Sequence, residues 1–288
     1  MAPVMAVRER WRLKMGLSHT PRPRVNLLAI SLRFPAVLPV IPGHEASGTV
    51  EAVGKNVDTV SVGTPVAIYY IDHCTECEPC VAGKVNMCLN LKRMGVEFNG
   101  AFAESVVVPA RNVIPVEESD SLLDIAVLTD AVATPYHALK TIAKAKTNET
   151  VVVWGIGGIG SNAVQIAKLF GCHVIAVSRS EEKLSLAKEM GADKTITADS
   201  ECIKKIKDLT GSGPEIIIQT VGSAEADRNA FEAVGVGTRL VLVGATTESF
   251  QLSSTEMIWS ESSIHGSRGF TPTDIKEVFD PNNRLNPG

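Results

Sequence analysis

The chain has 288 residues, of which 44% are hydrophobic and 21% charged, and its net charge is −4. This is ordinary globular composition, at a length that is large for one domain and typical of two. The acidic balance argues against nucleic acid or a membrane surface as a partner, because either would need a basic face. No membrane span is predicted either, since no window of about 18 apolar residues is free of charge.

The first 33 residues are basic, with seven arginines and lysines against the single acid Glu9. Organellar transit segments share this charge bias, but they also form an amphipathic run, which is not evident here. We therefore expect a cytoplasmic protein. Its thiols should stay reduced, which suits metal ligation better than disulfides.

Two different hydrophobic patterns follow each other along the sequence. Residues 37–115 are short apolar runs separated by Gly and Pro, which predicts a β-rich domain. Near residue 121 the pattern becomes helical, and from Thr150 onward apolar strands alternate with helices. Such alternation predicts a doubly wound parallel sheet. We therefore predict an α/β protein with a β-rich domain at residues 1–120 and a parallel-sheet domain at residues 121–288.

Four cysteines lie close together in the β-rich part, in the pattern C-x2-C-x2-C-x7-C. They are Cys74, Cys77, Cys80 and Cys88. Four thiolates predict a tetrahedral zinc site that is structural, because no coordination position remains for a substrate. Two disulfides and an iron–sulfur cluster are the alternatives. A reducing compartment disfavours the first, and the x7 gap differs from the x3 gap of bacterial ferredoxins.

A glycine-rich loop follows the apolar strand TVVVW and precedes a helical run that ends near Leu169. In this strand–loop–helix context, G-x-G-G-x-G predicts a dinucleotide site, with the pyrophosphate at the helix N-terminus. The alternative is a tight turn that binds nothing. The predicted coenzyme-binding residues of the loop are Gly155, Gly157, Gly158, Ile159 and Gly160.

The end of the next strand indicates which coenzyme is preferred. An NAD site places an acid there, about 20 residues beyond the glycines, to bind the ribose 2′-hydroxyl. This chain has Ser178 and Arg179 instead, with Lys183 nearby. These residues favour the 2′-phosphate of NADP over NAD. The alternative is that Arg179 is a solvated surface residue and that the ribose is bound by Glu181 or Glu182.

His44, Glu45 and Asp130 are candidate ligands of a second, catalytic zinc, which needs about three protein ligands and an open position. Taken singly, His44 is also explained as a structural histidine near a turn and Asp130 as a helix cap.

Together these motifs resemble the medium-chain zinc-dependent alcohol dehydrogenases. The resemblance covers roughly residues 35–280 and rests on P-x-I-P-G-H-E-x-x-G-x-V-x-x-V-G, the cysteine cluster, GAFAE, TPYHAL and the glycine loop. It implies a GroES-like domain followed by a Rossmann domain. It also implies reversible hydride transfer between an alcohol or polyol and a nicotinamide coenzyme, in a homo-oligomer of two or four chains.

The resemblance assigns roles to single residues. His44 would ligate the catalytic zinc, Asp130 would take the place of a later ligand that is often cysteine, and Glu45 would be an outer or exchanging ligand. It also implies that the nicotinamide and its cleft are contacted by Thr134, Val221 and Val243.

Two features depart from the family pattern. The cysteine expected upstream of His44 is absent, and the nearest match is GLSHT, where Ser18 takes its place and Thr20 would be the proton-relay hydroxyl. A neutral serine is a poor zinc ligand, so zinc binding by the remaining set, with or without His19, would be weakened. The alternative is that residues 1–34 are unrelated sequence. The strands that return to the first domain are also not found after DIKEVF, so a variant or fragment is expected.

Three functions compete on this basis. The first is an NADP-preferring alcohol or polyol dehydrogenase, impaired by the lost cysteine. The second is a catalytically silent NADP-binding or interaction protein of the same fold. The third is a zinc-independent reductase of the quinone-oxidoreductase type, whose members typically lack the cysteine lobe and the Gly-His-Glu motif.

Overall fold

The computed structural model describes residues 4–8, 38–117 and 121–279, the first of these as backbone only. The chain forms two compact units, Met1–Asp130 and Ala131–Gly288. The domain boundary predicted after residue 120 stays a prediction.

The first unit is built on a five-stranded antiparallel sheet in the order β6-β1-β2-β3-β7. Its strands are β1 (Val4–Arg8), β2 (Ser47–Val53), β3 (Pro65–Ile68), β6 (Ser105–Pro109) and β7 (Val113–Pro115). Strand β6 shows the expected period of two: Val106 and Val108 are buried, whereas Ser105 and Val107 are exposed.

The remaining secondary-structure elements of this unit are short. A two-stranded sheet pairs β4 (Ile71–Asp72) with β5 (Lys92–Arg93). Helix α1 (Glu78–Val81) and helix α2 (Leu122–Val127) are accompanied by 3-10 turns at Val85–Met87 and Ala110–Asn112. A π-helical turn at Leu128–Val132 follows α2.

The second unit contains a six-stranded, fully parallel sheet in the order β10-β9-β8-β11-β12-β13. Its strands are β8 (Thr150–Trp154), β9 (His173–Ser178), β10 (Lys194–Thr197), β11 (Ile216–Gln219), β12 (Arg239–Leu242) and β13 (Ser263–Gly266). The helices are α3 (Ala133–His137), α4 (Gly158–Leu169), α5 (Glu181–Glu189), α6 (Cys202–Thr210), α7 (Ala224–Glu232), α8 (Ser254–Ser260) and α9 (Pro272–Phe279), with a π-helical turn at Ala138–Ala143.

Both faces of the parallel sheet are covered. In β8, Val151 and Val153 pack in one apolar cluster with Ala163 of α4, while Val152 packs in a second cluster with Ile206 of α6. A strand buried on both faces is a continuous apolar run, which is why TVVVW does not alternate. The longest helix of the described chain has 12 residues, and none is long and apolar enough to cross a membrane.

The predicted fold class is confirmed: a β-rich unit precedes a doubly wound parallel sheet. Strand β1 was not predicted from the sequence. It nevertheless lies inside the first sheet, antiparallel to both β2 and β6.

Candidate functional site

A cavity of about 580 Å³ lies at the carboxyl ends of β8, β9 and β11 in the second unit. This is the edge at which doubly wound sheets bind their ligands. Every residue of the predicted glycine loop borders the cavity, and so do Ser178, Arg179, Lys183 and Val221. The structure thus brings together nine of the residues predicted from sequence, namely Gly155, Gly157, Gly158, Ile159, Gly160, Ser178, Arg179, Lys183 and Val221.

Two of the glycines are required by the backbone of this loop. Gly155 has φ +93°, a conformation that other residues rarely adopt. A Cβ at Gly160 would lie 1.8 Å from the carbonyl oxygen of Gly155. Helix α4 begins at Gly158, so its free N–H groups face the space above the loop, where an anion is favoured. The loop therefore fits a pyrophosphate.

The wall formed by the end of β9 is cationic. Ser178 is buried, and Arg179 and Lys183 are exposed. Neither cation forms a salt bridge with a carboxylate among the residues that the structure describes. Ser180 caps helix α5 by accepting from Lys183 N at 3.4 Å.

Thr134 and Val243 do not border this cavity. Thr134 is buried in α3, and Val243 packs against the same apolar cluster as Val151. Their predicted contact with a nicotinamide stays a prediction.

The four cysteines of the first unit converge. Their sulfur atoms all lie within 4.8 Å of one another, and Cys74 and Cys88 are separated by 3.6 Å and Cys77 and Cys88 by 3.9 Å. A tetrahedral zinc with bonds of about 2.3 Å would separate its sulfurs by about 3.8 Å. The donor set and its spacing therefore fit zinc. All four are free thiols rather than disulfides.

Backbone hydrogen bonds favour thiolate in part of this cluster, whereas burial opposes it at Cys80. The N–H groups of Cys74 and Asn90 donate to the sulfur of Cys88, both at 3.3 Å. Hydrogen bonds from the backbone of Glu76 and Cys77 lower the pKa of the Cys74 thiol to about 6. Burial raises the pKa of Cys80 to about 12. A cation placed among the four sulfurs would favour thiolate at each of them.

His44 and Asp130 also meet, although they are far apart in sequence. His44 Nε2 lies 3.0 Å from Asp130 Oδ2. Burial of the ring lowers the pKa of His44, whereas the hydrogen bond and the charge of Asp130 raise it. Together the contributions that raise it outweigh the effect of burial, so the net pKa is above its ordinary value. Zinc bound to this imidazole would therefore compete with a proton.

Hydrogen bonds between residues close to His44 and residues close to Asp130 explain why the two side chains meet. The backbone N–H of Ala46 donates to the buried hydroxyl of Thr129 (3.2 Å), and Ser47 Oγ donates to Leu122 O. These bonds hold the segment after His44 against the helical turns that carry Asp130. Sequence reasoning missed Thr129, although a threonine next to a candidate ligand in an apolar run is a usable signal.

The GAFAE motif packs against the turn before His44. Gly43 has φ +101°, and a Cβ there would lie 2.6 Å from the ring of Phe102. The N–H of Gly100 donates to Ile41 O, and that of Ala101 to Gly43 O. GAFAE thus shapes the backbone that presents His44.

The described residues do not complete a second metal site. Within residues 38–117 and 121–279, the cysteine cluster is the one group of three or more candidate ligands close enough to share an ion. Glu45 acts on His44 through its charge but does not join the pair as a third close donor. Thr20 and Ser18 lie outside the described residues.

Comparison with known proteins agrees with these motifs. Residues 26–118 match the model of the alcohol dehydrogenase GroES-like domain, and residues 158–281 match that of zinc-binding dehydrogenases. An alcohol dehydrogenase of Geobacillus stearothermophilus is 35% identical over 245 residues, which cover 84% of this chain and 72% of that protein.

Solved structures show the same likeness. An NAD-dependent alcohol dehydrogenase is 27% identical with a TM-score of 0.80, covering 96% of this chain and 79% of the other. A putative zinc-binding dehydrogenase from Sinorhizobium meliloti, bound to NADP, is 25% identical with a TM-score of 0.81, covering 95% and 79%. The chain therefore belongs to the family of zinc-binding, NAD(P)-dependent alcohol dehydrogenases, as its motifs predicted.

Proposed function

We propose that this chain transfers hydride reversibly between an alcohol or polyol and NADP(H), with NADP preferred over NAD. The observation that carries the coenzyme assignment is the cavity around the glycine loop, where two cations on one wall have no carboxylate partner among the described residues. Bound there, the coenzyme would supply the hydride acceptor. The protein supplies orientation and exclusion of water.

A 2′-phosphate fits the cationic wall. Arg179 can donate two parallel hydrogen bonds to phosphate oxygens, and Lys183 adds a second positive charge. Both residues border the cavity. Helix α5 begins at Glu181, directly after Arg179 and Ser180, so its N-terminal dipole also favours an anion there.

The carboxylates that could instead bind a ribose 2′-hydroxyl are less well placed. Glu181 and Glu182 do not border the cavity, whereas Glu225 does, from the first turn of α7 on another wall. An acid at the end of β9 is what an NAD site uses. Its replacement by Ser178 and Arg179 therefore favours NADP.

Arg179→Ala tests the coenzyme assignment. Hydrogen bonds to a charged group contribute about 1.5–3 kcal/mol, so the Kd for NADP should rise by about 10- to 150-fold. The Kd for NAD should stay within about twofold, because NAD has no 2′-phosphate. Isothermal titration of both coenzymes measures this.

Lys207→Ala is the matched control, since it removes an exposed cation of α6 that does not border the cavity. It should leave both Kd values unchanged. Equal losses for NADP and NAD in Arg179→Ala would contradict the preference for NADP.

We also propose that Cys74, Cys77, Cys80 and Cys88 hold a structural zinc. Support comes from the donor set, from sulfur separations of 3.6 and 3.9 Å, and from free thiols throughout. Such thiols suit a reducing compartment, so we infer that the chain works in the cytoplasm.

His44 and Asp130 are the residues we propose as ligands of a catalytic zinc, with Glu45 as an exchanging or outer group. Zinc held there would act as a Lewis acid on the alcohol oxygen. The described part of the chain offers two close donors, fewer than the three that such zinc needs. If Ser18 replaces the missing cysteine, the affinity for the catalytic zinc and the dehydrogenase activity are both reduced. Thr20 would then be the hydroxyl that relays the proton.

A second candidate function follows from this shortage of donors: a coenzyme-binding protein without catalysis. Zinc content separates the two. Two zinc ions per chain, one of them lost in His44→Ala and the other in Cys88→Ala, support the dehydrogenase. A single ion that is lost only in Cys88→Ala supports the silent protein, and no zinc in wild type would contradict both zinc sites.

The substrate class can be measured directly. A screen of primary alcohols, secondary alcohols and polyols with both coenzymes would identify it.

We infer a homo-oligomer of two or four chains. Supporting features are the edge strand β13 and the preceding helix α8, whose Ile258 and Trp259 are 73% and 82% exposed. Light scattering measures the assembly directly.

A further inference from the structure

Gln219, the last residue of β11, is fully buried although its side chain is polar. A buried amide must have partners, or it costs about 1–3 kcal/mol. Its Nε2 donates to Val221 O at 2.7 Å and to Asp227 Oδ1, and its Oε1 accepts from Val221 N. The side chain therefore binds both backbone polar groups of Val221.

The main chain of Gln219 makes further bonds in the same place. Its carbonyl oxygen accepts from Val243 N at 2.9 Å and from Gly244 N at 3.0 Å. The turn after β11 and the turn after β12 are thus both attached to one residue. Val221 borders the coenzyme cavity, so Gln219 fixes part of the cavity wall without bordering it.

The same turn is bonded to the glycine loop. Thr220 N donates to Trp154 O (2.9 Å), and its hydroxyl donates to Gly155 O (2.8 Å). Gly155 leaves room for the Val221 side chain, because a Cβ there would lie 2.4 Å from Val221 Cγ2. A shift of Val221 would therefore alter the cavity where the glycine loop begins.

Asp227 determines which way the amide points. It lies on α7, is 4% exposed, and accepts from Gln219 Nε2. Burial raises the pKa of Asp227, and the hydrogen bond from Gln219 opposes that rise. In its ionised form the carboxylate only accepts hydrogen bonds, so it selects the orientation in which the NH2 group faces Asp227 and Oε1 faces Val221 N. The reverse orientation would place two oxygens in contact.

We propose that Gln219, oriented by Asp227, is a positioning residue for the coenzyme. It holds Val221, and through Thr220 the start of the glycine loop, in the geometry that receives the part of NADP beyond its adenosine end. This inference rests on the proposed coenzyme site. It adds a residue that the loop motif does not contain.

Gln219→Met tests it, because methionine has similar length but neither donates nor accepts strongly. Loss of about 1.4 kcal/mol of hydrogen bonding corresponds to about a tenfold rise in the Kd for NADP. Adenosine 2′,5′-bisphosphate, which would occupy only the Arg179 end, should bind within about twofold of wild type. Calorimetric titration of both ligands gives the two values.

Gln219→Glu and its combination with Asp227→Asn form the matched pair. The single change removes both donors and sets one carboxylate against another, so NADP binding should weaken by about tenfold. The second change places an amide donor on α7 that again donates across the pair, so the double variant should recover at least half of that loss on a logarithmic scale. A purely structural role would not produce this recovery together with unchanged fragment binding.

Unchanged NADP binding in Gln219→Met, or equal weakening of NADP and the fragment, would overturn the positioning role alone. Wild-type protein that bound neither NADP nor NAD would overturn the coenzyme proposal, and this inference with it. The two failures are distinguishable because the wild-type titration comes first.

Discussion

Three neighbouring glycines of the coenzyme loop should respond differently to the same change, alanine. A Cβ at Gly160 would lie 1.8 Å from Gly155 O and 2.9 Å from Gly155 C, which are backbone atoms that cannot rotate away. At Gly157 and Gly158 a Cβ meets nothing within 4 Å. Gly157 has φ −109°, which alanine adopts without strain.

The magnitudes follow from these distances. Overpacking costs about 1–3 kcal/mol, and the backbone overlap at Gly160 places Gly160→Ala at the upper end. For a domain of about 150 residues, 3 kcal/mol lowers Tm by about 6–12 °C. Gly158→Ala, at the first residue of α4, should leave Tm unchanged or slightly raised, since alanine favours a helix.

Gly157 should matter for coenzyme binding rather than for stability. The second glycine of such a loop lets the backbone approach the pyrophosphate, so a methyl group at Gly157 would occupy ligand space. We expect Gly157→Ala to keep the wild-type Tm while raising the Kd for NADP by about tenfold or more. Differential scanning fluorimetry and calorimetric titration measure both quantities.

Wild-type values of Tm and Kd in Gly160→Ala would contradict the first expectation, because the overlap with the Gly155 backbone would then be relieved at no cost. NADP binding as tight as wild type in Gly157→Ala would contradict the second. In that case the open space above Gly157 would not be where the coenzyme lies.

Two further changes test contacts outside the loop. Asp274 is buried; burial raises its pKa, but the hydrogen bonds from His137 and Thr271 outweigh this and the net pKa is lowered. Its stabilisation is therefore present above about pH 4 and lost as pH falls through the lowered pKa. Asp274→Asn should reduce the free energy of unfolding by about 1–3 kcal/mol at pH 7, and urea titrations should show the gap to wild type closing below about pH 4. Thr129→Val removes the hydroxyl that accepts from Ala46 N and donates to Ala126 O, and should reduce the free energy of unfolding by about 1–2 kcal/mol. Where wild type holds the second zinc that we propose at His44, the variant should also hold less of it, and an unchanged content of that zinc would show that Thr129 does not position Asp130.

The coenzyme loop was predictable because each of its requirements is local. Gly155, Gly157 and Gly160 are close together in sequence, and the strand and helix on either side follow directly from apolar periodicity. The cysteine cluster was predictable for the same reason, since Cys74 and Cys88 lie within one short segment.

The meeting of His44 and Asp130 depends on contacts that no local pattern encodes. It requires Thr129 to bind Ala46 and Ser47 to bind Leu122. Residue types alone made His44 and Asp130 separate candidate ligands, and their pairing was supported by the resemblance to a family. Strand β1 was missed because its partners, β2 and β6, are distant in sequence.

Gln219 shows most clearly where sequence reasoning ends. A single polar residue at the end of the apolar run IIIQ looks like the ordinary end of a strand. Its role depends on Val221, Val243 and Asp227, which belong to three different elements and meet only when β11 and β12 pair and α7 packs on them. Motif residues tell which ligand a loop receives, whereas the groups that hold the loop in place are set by tertiary packing. In this family the second kind should therefore vary in identity while preserving hydrogen bonds to the residue at position 221. Gln219→Glu with Asp227→Asn tests part of that expectation, because it changes both identities, keeps an acceptor for Val221 N and restores a donor between the two side chains.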